Sequence, residues 1–466
     1  MSTAGDVALG PAPWREVFRG RRGRLTAGLL ILEALVAVQA LVVATILPDI
    51  RRDLGMVELY GLTFTAAGLA TVAAIPIAGR ALDRYGARRL LPPVLLLFAG
   101  GLLICATAPT MPFVLLGQFL AGWGGGGLYA LSLGTIAKTY PDNLRARVMA
   151  LLATMWILPG LLGPPLGAVI ATTIGWRFAF LAPIPLLLVG WALIAPALDL
   201  VPRPERPGDG GSVSLRWPLQ LMVGAGAFFI SLTVVEPWAI ALAAAGLAVG
   251  LPALLRIVPA GTLRARPGLP AAAMAAFLLS VGFLAFDGFM TLMLTDVRGL
   301  SLAEASIAVT AASITWAVGS LWQSGRAERT PLHRLVVLGG ILALIGGALG
   351  AATLLSAVPV IAAFVGWGLV GAGMGIAFPT IPLAAMRVTR AGEESAELSS
   401  VLLMDVIGVA TGAGLGGGAV AVSDAVGAPL ASGIAWSFAI GAVAWLGLVA
   451  WAGRRVPTSP ASPSAP

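Results

Sequence analysis

"GRALDRYGARRL", residues 79–90, places four arginines and one aspartate in a dozen positions. Apolar runs flank it, 59–79 before and 90–108 after, and each approaches the roughly 20 residues that cross a bilayer as a helix. Charge this dense between runs this apolar reads as a short turn at a membrane surface. The rest of the chain agrees. Of its 466 residues 58% are hydrophobic and only 11% charged, with a mean hydropathy of +0.94. A soluble chain of that length needs more polar surface to cover its core, so the composition specifies an all-α integral membrane protein.

Several chemistries are excluded by what is scarce. Cys105 is the only cysteine and His333 the only histidine, which leaves no disulfide framework, thiolate metal site or histidine-based triad within one chain. Lys138 is the only lysine, and the arginines are scattered over short loops, so no nucleic-acid partner is expected. The nearest approach to a phosphate loop, "GTIAKT" (134–139), has Ala137 where glycine should precede Lys138. Asp287 and Asp405 lack the Tyr-Asp or Gly-x-Gly-Asp setting of an intramembrane protease. No enzyme activity and no cofactor are expected.

Fourteen spans are predicted: 25–47, 59–79, 90–108, 112–136, 148–172, 177–199, 215–234, 238–258, 271–294, 303–323, 335–355, 359–384, 398–422 and 430–452. The first follows Arg15, Arg19, Arg21, Arg22 and Arg24 and is too long for a signal-peptide core, so it reads as uncleaved. The seventh and eighth are the weakest, joined only by Glu236-Pro237 and interrupted by Pro218 and Pro252; a twelve-span chain is the alternative. With both termini in the cytoplasm, 25 of the 29 basic residues fall inside, leaving Arg51, Arg52, Arg177 and Arg298 outside. The expected organisation is a disordered basic arm (1–24), a six-helix bundle (25–200), a linker (201–214), two inserted helices (215–258), a second six-helix bundle (271–455) and a disordered tail (456–466). Internal similarity supports the two bundles: "GWGGGG" (122–127) falls on "GMGIAF" (373–378) and "GPPLGAV" (163–169) on "GLGGGAV" (414–420) at one common shift. Duplicated helical bundles around a central pathway are the architecture of secondary transporters.

The opening stretch resembles the loop signature of the major facilitator superfamily, G-x-L-x-D-R-x-G-R-R-x. Gly79, Asp83, Arg84, Gly86 and Arg88 match, and Ala87 stands where arginine is usual. The resemblance implies a gating loop whose glycines permit a tight turn and whose charges bond across the two halves. "LPGLLGPPLGAVI" (158–170) is similar to the antiporter motif of drug:proton exporters, with Gly163, Pro164 and Gly167 matching and Pro159 and Ala168 departing. With "WRFAFLAPIP" (176–185), the likeness points to the fourteen-span drug:H⁺ antiporter branch. That branch usually carries an aspartate in its first span and an arginine in its fourth; here Gln39 and Gln118 stand at those places, and the two amides are expected to face each other.

Proton coupling must then use other groups. Glu33, Asp287 and Asp405 lie deep in predicted spans that hold no Lys or Arg away from their ends. A carboxylate in hydrocarbon without a counter-charge is disfavoured in its charged form, which suits a site that takes up and releases protons. Asp405 ranks first, because it resembles an acid found in this span of some family members. Trp156, Phe286 and Trp316, with Gln39 and Gln118, are candidates to line the substrate pathway. The expected protein is a monomeric multi-pass exporter of the cell membrane that exchanges protons for lipophilic or cationic small molecules, surrounded by membrane lipids. Export or flipping of a lipid or lipophilic metabolite on the same scaffold is the alternative.

Overall fold

The computed structural model describes residues 14–54, 60–155, 166–167, 169–203, 214–232 and 236–457. These residues are helical, with no strand among them. The principal helical stretches among the described residues follow in order. They are α1 (Gly20–Leu54), α2 (Tyr60–Tyr85), α3 (Ala87–Ala106), α4 (Met111–Thr139), α5 (Asp142–Thr154) and α6 (Trp176–Leu200). Next come α7 (Arg216–Ser231), α8 (Trp238–Ile257), α9 (Leu269–Val297) and α10 (Leu302–Arg326). The last are α11 (Leu332–Ala352), α12 (Ile361–Met386), α13 (Glu394–Ala425) and α14 (Leu430–Arg455). Among the described residues, nine of these (α2, α3, α6, α8, α9, α11, α12, α13 and α14) are long and apolar enough to cross a membrane.

Local chemistry sets the boundaries. A single glycine, Gly86 at φ 77°, separates α2 from α3, because only a residue without Cβ adopts that backbone freely. The motif is therefore not a loop. Gly79, Asp83 and Arg84 lie on the last turns of α2, and Arg88 lies on the first turn of α3. Ser301 caps α10: its hydroxyl accepts from the Glu304 N–H, while the Glu304 carboxylate accepts from the Ser301 N–H at 2.8 Å. Pro252, expected to interrupt the eighth span, sits inside an unbroken α8.

Small residues let the helices approach. Gly122 and Gly126 of α4 lie against Ala67 and Thr71 of α2, and Gly371 and Gly375 of α12 lie against Ala312 and Trp316 of α10. One hydrogen bond occurs in both places: Thr71 Oγ1 donates to the Gly122 carbonyl at 3.0 Å, and Thr315 Oγ1 to the Gly368 carbonyl at 2.7 Å. The two helix pairs thus pack alike, although in a register different from the 251-residue shift of the sequence match. α7 and α8 form a hairpin around Gly224, Gly246 and Gly250, tied by Gln220 Nε2 donating to the Val249 carbonyl at 2.9 Å. α7 packs on α2 and α13, where Gly226 meets Leu69 and Leu232 meets Gly414.

Candidate functional site

Among the described residues, one end of the molecule is sealed between its halves, while toward the other end the helices are buried along single stripes. α13 is buried on every side from Leu398 to Asp405; beyond that, burial falls only on Gly408, Gly412, Gly416 and Ser423. α4 shows the same change, buried continuously over Ala130–Ala137 and along one stripe near Met111. In α12 the continuous stretch is Pro379–Met386. All three stretches lie at the end that carries the charged motif. The halves meet there through α2 and α4 on α13, and through α5 on α10 and α12.

The seal is built on Gly79 and Asp83. A Cβ on Gly79 would stand 2.6 Å from the Ser395 carbonyl oxygen and 2.6 Å from Ser399 Cβ, so only glycine lets α2 approach α13 here. Asp83, 9% exposed, accepts from the backbone N–H groups of Ser395 (3.1 Å) and Ala396 (2.7 Å), in the first turn of α13. A carboxylate at a helix start satisfies orphan donors and meets the positive end of the helix dipole. Asp83 therefore bonds across the halves as its motif implies. Arg88 does not: its guanidinium bonds Asp199 at 3.2 Å, inside the first half. Arg84 lies over the Tyr85 ring, 5.4 Å from its centroid.

Lys138 is a participant that sequence reading passed over. Its ammonium, with the side chain 10% exposed, lies 2.8 Å from Asp83 and 3.4 Å from Glu394, so one cation at the end of α4 joins both halves. The clue available was its being the only lysine in the chain. On the other seam, where α10 meets α5 and α12, Gln323 is fully buried and neither atom of its amide has a hydrogen-bond partner among the described residues.

Above the seal lie the three acids. Asp405 (α13) is 9% exposed and accepts a hydrogen bond from the Ser280 hydroxyl of α9. Glu33 (α1) is 4% exposed. Asp287 is half-buried, two turns further along α9 from Ser280. Tyr129 of α4 is half-buried and lies within electrostatic reach of both Asp405 and Glu33. Among the described residues no cluster of His, Cys, Asp or Glu suited to a metal ion is present.

The two amides are not brought together. Gln118 Nε2 donates to Cys105 Sγ at 3.6 Å, turned into the packing of α4 on α3, whereas both atoms of the Gln39 amide are buried with no partner among the described residues. Cys105 sits one helix away at the right height, a relation invisible in sequence spacing. Phe286 is 1% exposed and stacks on Phe438 and Trp445, with centroids at 4.5 and 4.9 Å, inside the second half. Trp316 is half-buried, edge-on to Phe283 at 5.4 Å and Phe378 at 5.6 Å, and its buried indole N–H has no partner. Gly167 is buried, whereas Trp156, Gly163 and Pro164 lie outside the described residues.

At the opposite end, Asp53 closes α1 against α6. Its carboxylate accepts from Trp176 Nε1 and from the Arg177 guanidinium, each at 3.0 Å. The Trp176 bond first, and Arg177 second, hold the carboxyl below its ordinary value.

An all-helical chain whose described helices include nine able to cross a membrane, its two halves joined through the charged motif, has the make-up of a multi-pass membrane transporter. The chain belongs to the Major Facilitator Superfamily, whose family model matches residues 29–404. It is 28% identical to a protein of Mycobacterium tuberculosis described as a probable multidrug-efflux transporter, over 96% of this chain and 97% of that one. Its fold is similar to that of the human organic anion transporter MFSD10 (TM-score 0.67, 15% identity, 91% of this chain and 98% of that chain). The proton:xylose symporter XylE shares it as well (TM-score 0.66, 14% identity, 92% and 95%).

Proposed function

We propose that this protein is a proton-coupled multidrug exporter of the cell membrane, with fourteen spans and both termini in the cytoplasm. The sealed end is then the cytoplasmic one, and the described conformation faces outward. The single observation that carries the reading is Asp405, buried just beyond the seal at the point where α13 passes from all-round burial to stripe burial. A carboxylate there is shut off from the sealed side and next to the opposite one. When the halves rock, the same group would face the cytoplasm.

Exchange follows from the cost of a charge in hydrocarbon. Protons arriving from outside neutralise Asp405, with Asp287 and Glu33 as further carriers. The neutral form lets the halves reorient, and a lipophilic substrate entering from the cytoplasm favours proton release. The bonds of Asp83 and Lys138 to α13 break on that side as it opens. The full-length relative described as a multidrug-efflux transporter supports the direction and the substrate class. The α7–α8 hairpin, clamped against α2 and α13, is the pair of inserted helices, and the protein works as a monomer.

Purified protein in proteoliposomes with an imposed pH gradient tests this. The wild type should move a dye or drug from a panel against its gradient, and Asp405→Asn should lose that transport while melting as the wild type does. Gradient-driven transport unchanged in Asp405→Asn would remove Asp405 from the mechanism. Movement of lipid but of no drug would establish the flippase reading instead.

A further inference from the structure

Away from the seam, on the outer side of the first half, three arginines share one carboxylate. The Asp199 oxygens, on the last turn of α6, lie 3.3 Å from Arg21 at the start of α1 and 3.2 Å from Arg88 at the start of α3. Arg203, just past α6, stands 3.8 Å away. The Arg21 guanidinium also donates to the Pro196 carbonyl, which brings the ends of α1 and α6 together. All four side chains are open to their surroundings, 53–78% exposed. Ion pairs this exposed add little stability. One acid among three guanidiniums leaves an excess of two positive charges. The opening turns of α1 and α3 add Arg22, Arg24 and Arg89 and contain no acid.

The surface next to this cluster is apolar. On α3, Arg88, Pro92 and Leu96 recur every four residues, so they share one face, and Leu96 is exposed. On α6, Leu188 and Ala192 stand eleven and seven residues before Asp199, on its face, and both are exposed. α3 packs on α6, so two exposed apolar stripes end at one basic cluster.

We propose that this cluster binds a phospholipid carrying two phosphates, whose headgroup bridges Arg21, Arg88 and Arg203 and whose acyl chains lie along the stripes of α3 and α6. The site stands outside the seam and does not depend on the exporter reading. Charge selects the headgroup: two phosphate diesters match the excess of two, and a guanidinium fork takes phosphate oxygens in pairs. The stripes select a lipid over a soluble anion, because the arginines stand at the head of an apolar surface that only an anion attached to acyl chains covers as well. Bound there, the lipid ties together the ends of α1, α3 and α6, all within the first half.

Native mass spectrometry of the purified full chain measures the binding. The probes are cardiolipin, phosphatidylglycerol and phosphatidylcholine, with inorganic phosphate as a headgroup without chains. Cardiolipin should bind most tightly and phosphatidylcholine least. Arg88→Gln and Arg203→Gln should each weaken cardiolipin about fivefold, whereas Arg256→Gln, which removes the same charge from the end of α8, should change it by less than about twofold. Asp199→Asn removes the competing acid and should tighten cardiolipin about fivefold, a gain that a merely structural ion pair would not give. Should Asp199→Asn not fold, Asp199→Ser carries the same expectation. Weaker cardiolipin binding after loss of the Asp199 charge, an equal loss in Arg256→Gln, or no preference for cardiolipin over phosphatidylcholine would overturn the proposal. Inorganic phosphate displacing cardiolipin at equal concentration would reduce the cluster to a site for soluble anions and overturn it too.

Discussion

Gly79 and Asp83 lie four residues apart on one helix, yet they answer to different physics. Gly79 is required by contact. Gly79→Val would drive a Cβ into the Ser395 carbonyl and Ser399, which are backbone and packed side chain, so the seam cannot close. Ser395 is 1% exposed; as Ser395→Cys it should resist a membrane-impermeant maleimide in the wild-type background and react readily in the Gly79→Val background. Unchanged labelling would show that the seam does not depend on this approach. Asp83 is required by charge at a helix start. Asp83→Asn keeps the shape but leaves Lys138 with only Glu394, and should cost about 1–2 kcal/mol of sealed-state stability, read from denaturant or thermal melts. Asp83 was legible in the sequence, because its motif has fixed spacing within one stretch. Lys138 was not, since its second partner, Glu394, lies on a distant helix and nothing in local pattern joins them.

At the scale of elements, the duplicated packing of α2 on α4 and α10 on α12 hides an asymmetry. Thr71 and Thr315 make equivalent bonds, and two turns further along each helix stand Gly79 in one half and Gln323 in the other. The first permits a close, charge-latched seam; the second buries an amide with no partner among the described residues. A buried amide that lacks a partner disfavours the interface that buries it. Gln323→Leu should therefore raise the melting temperature of the sealed state and slow transport turnover, both measurable on one preparation; a lower melting temperature would contradict this. Lys138 offers a second test. In the double-mutant cycle of Lys138→Met and Glu394→Gln, a coupling energy of at least ~0.5 kcal/mol is expected if the ammonium joins the halves, and none if Asp83 alone holds it. Element types and most boundaries could be read from hydropathy. The extension of α2 through the charged motif could not, because charged residues are also good helix formers and only the positive φ of Gly86 ends the helix.

Over the whole molecule, the seal at the end of the charged motif contrasts with single-stripe burial toward the other end among the described residues. The Asp53 clasp holds α1 to α6 at that other end, outside the seam that must break. Its carboxyl is held below its ordinary value, so the clasp is at full strength at neutral pH and is lost only as pH falls through that lowered value. Acidification to pH 5 should leave it intact. Melting curves at pH 7 and 5 should thus show the same destabilisation by Asp53→Asn; an effect confined to pH 7 would count against the clasp.

The sequence by itself determined that the chain is a multi-pass membrane protein, that it carries the charged motif of residues 79–90, and that three acids fall in apolar runs with no Lys or Arg away from their ends. Each of these is a local property: hydropathy over one span, or spacing within one stretch. Only the tertiary structure decided that Gln118 serves Cys105 and not Gln39, that Arg88 stays within its own half, and that Lys138 joins both halves. The reason is that bilayer helices are apolar on most faces, so sequence records their depth well and their rotation poorly. Which side chains meet across helices is set by where glycines let backbones touch, and that is fixed only when all the helices pack together.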